Sequence, residues 1–61
     1  MVAYDSKGNK IASVNSNRVQ DLEYVIARYL LANRLKYAQV KINNKTYAYA
    51  IVGNQLISDR V

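Results

Sequence analysis

The chain contains no cysteine, no histidine and no proline, and only four acidic residues among 61. Each absence excludes something. Without cysteine no disulfide can form, and without cysteine or histidine a zinc site of the usual nitrogen and sulfur ligands is ruled out. A carboxylate-only metal site would have to draw on Asp5, Asp21, Glu23 and Asp59, whose spacing is not that of a calcium loop. No cofactor is expected. Catalysis loses its common parts as well: there is no imidazole to move protons near neutral pH and no thiol nucleophile. Ser6, Ser13, Ser16 and Ser58 have no histidine base. Asp21 and Glu23 lie two apart on a predicted helix and point in different directions, so they do not form a carboxylate pair across a cleft. A non-enzymatic binding protein is expected.

The lack of proline, linkers, repeats and low-complexity stretches predicts a single domain over residues 1–61. A domain of this size buries only about 60% of the surface its unfolded chain exposes. Small domains often add a disulfide, a metal or a partner chain, and here only the partner remains open. The opening "MVAYDSKGNK" has a charge at position 5 and no apolar core, so no signal peptide is expected. The longest apolar run, Tyr47 to Val52, is far shorter than the roughly 20 residues of a membrane helix. A cytoplasmic protein with no membrane association is the expectation.

Acids are also unevenly placed. None occurs from Tyr24 to Ser58, and that segment holds Arg28, Arg34, Lys36, Lys41 and Lys45 with five of the six tyrosines. The whole net charge of +5 therefore resides in one continuous part of the chain.

Residues 2–14, "VAYDSKGNKIASV", read as a hairpin with a three-residue loop. Asp5 opens the turn and Gly8 takes the left-handed position. Simple alternation then sets Ala3 opposite Ile11 and puts Val2, Tyr4, Ala12 and Val14 on one side. Asn17 or Ser16 can cap a helix, with Gln20 placed as a capping-box partner of Asn17. The helix is predicted over 17–33, with a stripe of Val19, Leu22, Val25, Ile26, Tyr29 and Leu30. At its end either Asn33 terminates it in a left-handed conformation or the helix runs on through Leu35. Residues 37–60 read as a three-stranded meander, "YAQVKIN", "TYAYAIV" and "QLISDRV", with turns at Asn43-Asn44-Lys45 and Gly53-Asn54. The fold class expected is α+β, ββαβββ, one amphipathic helix on a small antiparallel sheet completed by dimerisation.

Register decides the faces of the meander, because a one-residue slip reverses every side chain. With two central residues in the first turn, Ala38, Val40, Ile42, Tyr47, Tyr49, Ile51 and Leu56 face the helix. Tyr37, Gln39, Lys41, Thr46, Ala48, Ala50, Val52 and Ile57 then face away. With three, Tyr47 and Tyr49 face outward beside Tyr37 and Lys41 instead. The two-residue loop is favoured, being the commoner hairpin and filling a thin core with bulkier residues. In either register one helix covers one face only. "YAYAIV" has the high β propensity and lack of charge that make a segment self-associate when exposed, so the N-terminal hairpin in part, and a second copy for the rest, are expected to shield it.

Two functional readings follow. In the first, a homodimer binds DNA or RNA, with Arg28, Arg34, Lys36, Lys41 and Lys45 on phosphates and Tyr37 stacking a base. In the second, the chain is an inhibitor or adaptor that binds a partner, such as an acidic protein surface, through Tyr24, Leu31, Leu35, Ala48, Ala50, Val52 and Ile57. The plainer account of Tyr24, Leu31 and Leu35 is tolerated surface apolarity. Short, solitary, basic chains of this kind are a compositional type common in phages and mobile elements. Nucleic-acid binding ranks first.

Overall fold

The computed structural model describes residues 1–60, and the side chains of residues 1–59; Val61, the last residue of the expected domain, lies outside the described residues. Six elements follow one another: β1 (Val2–Asp5), β2 (Lys10–Ser13), α1 (Val19–Ala32), β3 (Tyr37–Ile42), β4 (Lys45–Val52) and β5 (Gln55–Arg60). The strands form one five-stranded sheet in the order β2-β1-β3-β4-β5, with every neighbouring pair antiparallel. The helix packs on one face of that sheet, giving the expected α+β architecture.

The two C-terminal hairpins set the faces. Asn43 and Asn44 both take positive φ, 51° and 65°, the backbone of a two-residue type I′ turn, which matches the right-handed twist of the flanking strands. Ile42 therefore pairs with Lys45, Val40 with Tyr47 and Ala38 with Tyr49. Gly53 takes φ 63° at the next turn, and Val52 pairs with Gln55 across it. The alternative three-residue loop, with Tyr47 and Tyr49 outward, is excluded. β4, which carries "YAYAIV", has β3 on one edge and β5 on the other, so Tyr47 to Ala50 are paired on both sides.

The core consists of Ala3, Ala12, Leu22, Ile26, Leu30, Val40, Ile42 and Tyr49, none more than 5% exposed. Ala3 and Ala12 stand opposite each other where α1 lies against β1 and β2. Two methyl groups there let the helix come close. On the β4 side Tyr49 fills the larger gap, and its hydroxyl donates to Glu23 Oε2 of the helix at 2.9 Å. No buried side-chain polar atom among the described residues lacks a partner, as a thin core requires.

Three local expectations are corrected. In the first hairpin Asp5 and Asn9 face each other as expected, with Asp5 N–H donating to Asn9 O at 2.8 Å and Gly8 N–H to Asp5 O at 3.1 Å. A bulge then intervenes: Tyr4 pairs with Lys10 but Ala3 pairs with Ala12. Ile11 is the extra residue. Ala12 consequently joins Ala3 in the core, away from Val2 and Tyr4, and Val14 packs against the core.

At the helix start neither Asn17 nor Ser16 caps. Arg18 holds the N-cap position with extended backbone and no side-chain cap. Ser16 Oγ instead accepts the Arg18 N–H at 3.0 Å, a local turn of the kind serine favours. Gln20 Oε1 accepts from Arg18 Nη2 at 3.5 Å rather than closing a capping box. At the other end Asn33 is not left-handed (φ −99°), and Arg34 is (φ 56°). Leu35 N–H donates to Leu30 O at 2.8 Å and Arg34 N–H to Leu31 O at 3.2 Å, the paired bonds of a Schellman motif.

Candidate nucleic-acid interface

The N-terminal hairpin extends the sheet sideways beyond β3. It therefore lies beside β3 and does not cover Ala48, Ala50, Val52 and Ile57 of β4 and β5, on the open face opposite the helix. Along β3 and β4 alternation directs Tyr37, Gln39 and Lys41, then Thr46, Ala48, Ala50 and Val52, to that open face, the partners of each side chain being fixed by the register. Ile57 joins them opposite Ala50, and Asp59 opposite Ala48.

Three cross-strand rows organise this face. The first is Lys10, Tyr4, Lys41 and Thr46, running across β2, β1, β3 and β4. Directly opposed residues have Cβ atoms about 5 Å apart, so Tyr4 stands between two lysines. The second row is Gln39, Ala48 and Asp59, and the third is Tyr37, Ala50 and Ile57. Tyr4 and Tyr37 are 42% and 56% exposed. They are separated by four residues of β3, about 13 Å at the strand rise, and the two alanines keep the floor between them low.

Tyr4 and Lys41 also form the wall between two shallow hollows. One, of about 530 Å³, is lined by Tyr4, Lys7, Gln39, Lys41 and Thr46 among others. The other, of about 300 Å³, is lined by Val2, Tyr4, Lys41, Asn43 and Asn44. The one carboxylate among their described lining residues, Asp5, is occupied by its own loop. Its Oδ1 accepts the Asn9 N–H at 2.8 Å and the Lys7 N–H at 2.9 Å. The Asn9 bond is the largest influence and, against some desolvation, holds the Asp5 carboxyl below the usual carboxylate range.

The sequence-predicted residues divide among several places. Lys41, Tyr37, Ala48, Ala50, Val52 and Ile57 share the open face. Arg28 lies on the exposed side of α1, one turn from Tyr24 and from Leu31, which are 66% and 62% exposed. Arg34, Leu35 and Lys36 follow at the helix end. Lys45 lies at the β3–β4 turn, opposite Ile42 on the helix side. The five predicted cations thus do not line one surface. Tyr49, which faces outward in the excluded register, is fully buried. Burial, and after it the bond to Glu23, pushes its phenol well above the usual tyrosine range.

Sequence reasoning missed Tyr4, Lys10 and Lys7. The Ile11 bulge carries the reason: without it, parity places Tyr4 on the side of Ala12. A bulge leaves little mark in a four-residue strand, although the adjacent apolar pair in "KIAS" is the one signal of it.

Among the described residues no group of three or more His, Cys, Asp or Glu could hold a metal ion, and no helix is long and apolar enough to cross a membrane. No protein-family model, curated protein or solved structure matches the chain.

Proposed function

We propose that the protein binds single-stranded nucleic acid on the open face of its sheet, as a homodimer. The observation that carries the reading is the Lys10–Tyr4–Lys41 row, an exposed aromatic ring between two cations on a flat sheet. Unpaired bases stack on exposed aromatic side chains of open sheets, and lysines beside them neutralise the phosphates. Tyr4 and Tyr37 take bases, the alanine floor between them admits the flat rings, and Lys7, Lys10 and Lys41 take phosphates. The ligand then covers the apolar strip that the helix cannot reach.

The dimer forms through β5. That strand is an edge of the sheet, six residues long and without proline, and such an edge offers unpaired backbone groups to another strand. Antiparallel pairing of two β5 strands continues the open face across both copies and leaves both lysine–tyrosine rows free. Binding by the two rows of one strand of nucleic acid is then bivalent.

The test is fluorescence anisotropy with labelled mixed-sequence oligonucleotides, DNA and RNA, across a salt series. Three lysines from each of two copies on one strand give a slope of log affinity on log salt of about −4. Tyr4→Ala removes about 1–3 kcal/mol of stacking and leaves that slope unchanged. Salt-independent binding, or full affinity in Tyr4→Ala, contradicts the reading.

A further inference from the structure

A second surface, on the other side of the molecule's β4–β5 turn, has a different chemistry. Between the end of α1 and that turn lies a hollow of about 570 Å³ lined by Leu31, Arg34, Leu35, Lys36, Ile51 and Val52, with Gly53 at its lip. Its floor is aliphatic and open to solvent: Leu31, Leu35 and Val52 are 62%, 39% and 59% exposed. Among the described residues its charged lining residues are both cations, Arg34 and Lys36, and no carboxylate lines it.

We propose that this hollow is a docking site for an acidic amphipathic segment of a partner protein, one carrying large aliphatic or aromatic side chains beside carboxylates. Charge complementarity selects the occupant. An aliphatic floor under a cationic rim matches a segment with apolar anchors and negative flanks. Nucleic acid matches it poorly, because the hollow offers no aromatic ring to a base. A second copy of this chain matches poorly too: Leu22 and Ile26, the large apolar residues beside Asp21 and Glu23, are fully buried in its own core, and Asp5 is held by its own loop.

The backbone supports the assignment independently. Arg34 occupies the left-handed position that ends the helix, where glycine adopts the conformation without penalty and an L-residue does not. A strained position at a surface hollow, occupied by the residue that supplies half its positive charge, points to a use for that side chain. The walls are also fixed in advance. Leu35 N–H is tied to Leu30 O, and Ile51 N–H donates to Lys36 O at 2.9 Å, joining the segment after the helix to β4. The carbonyls of Leu30 and Leu31 at the negative end of the helix are both bonded, so they present less repulsion to an incoming carboxylate.

The experiment uses the full chain, isotopically labelled, and a fluorescein-labelled dodecapeptide with Leu and Phe at helical spacing and Asp and Glu between them. Comparison peptides carry Lys in place of the acids, or acids alone. Backbone amide shifts are expected at Leu31–Lys36 and Ile51–Gly53 with the acidic amphipathic peptide and with neither comparison peptide. Arg34→Gly is expected to weaken binding about three- to fivefold, the scale of one exposed ion pair, and Leu31→Asp about tenfold or more through loss of an anchor. Circular dichroism checks that both variants fold. Shifts confined to other surfaces, equal binding of the acid-only peptide, or unchanged affinity in Arg34→Gly overturns the proposal. So does an oligonucleotide that shifts the same amides, or shifts there that grow with protein concentration alone and so reveal a second copy.

Discussion

Replacing Arg34 by glycine should make the protein more stable, although it removes a surface cation and puts the most flexible residue at a helix end. The left-handed backbone of Arg34, φ 56°, costs an L-residue about 1–2 kcal/mol, and glycine avoids that cost. Against it stands the greater freedom of glycine in the unfolded chain, about 0.4–1 kcal/mol. Loss of a cation near the helix C-terminus takes away about 0.3 kcal/mol more at an exposed site. The balance is a gain of about 0.5 kcal/mol, or a rise in Tm of about 2–4 °C for a domain of this length. Thermal unfolding followed by far-ultraviolet circular dichroism, with urea titration beside it, measures both. Asn33→Gly is the control. Asn33 is not left-handed and its side-chain Nδ2 donates to Tyr29 O at 2.8 Å, so glycine there should destabilise. The expected order is Arg34→Gly above the unaltered chain above Asn33→Gly. The reverse order would mean that the helix ends on Asn33 and that the geometry argued for the end of α1 is wrong.

Other perturbations have equally definite outcomes. Tyr49→Phe removes the bond to Glu23 Oε2 while keeping the ring, and should cost about 1.5 kcal/mol, the lower end for a bond to a charged group, read from urea midpoints at constant m. The raised Tyr49 phenol makes the folded state bind a proton that the unfolded state releases. The Tyr49 contribution to stability should therefore be constant below about pH 9 and fall as pH rises past about 10 toward the folded value, and the alkaline fall should be shallower in Tyr49→Phe. Ile57→Lys, at a half-exposed position on β5, should change monomer stability by no more than about 0.5 kcal/mol. In light scattering after size exclusion it should convert a species of twice the chain mass into one of single mass. A single mass in the unaltered chain would remove the dimer from the proposed function.

The elements most legible in the sequence were those whose side chains alternate or recur over many residues. The stripe Leu22, Ile26 and Leu30 is the buried side of α1, and the preference for bulky residues inside gave the register that buries Tyr49 and turns Ala48, Ala50, Val52 and Ile57 outward. The misreadings lie where one residue decides the geometry. Arg18 at the N-cap and Arg34 in the left-handed position are residues that local preference argues against, and tertiary packing of the stripe overrides that preference. The bulge at Ile11 sends Ala12 to the core side, away from Tyr4 and Lys10, which share one open-face row with Lys41, and short-range patterns do not reveal it. The candidate site was therefore half legible. Lys41 and Tyr37 were found from charge and alternation, whereas the ring between two lysines depended on a long-range pairing of β1 with β3.

The most direct measurement is an amide-resolved titration of the protein with a short mixed-sequence single-stranded oligonucleotide at low salt. Shifts concentrated at Tyr4, Lys10, Tyr37, Gln39, Lys41, Ala48 and Ala50, fading as salt is raised, are the predicted result. Shifts that cluster instead at Arg28, Arg34 and Lys36 on the helix side, or no shifts at all, would contradict the open sheet face as the binding surface.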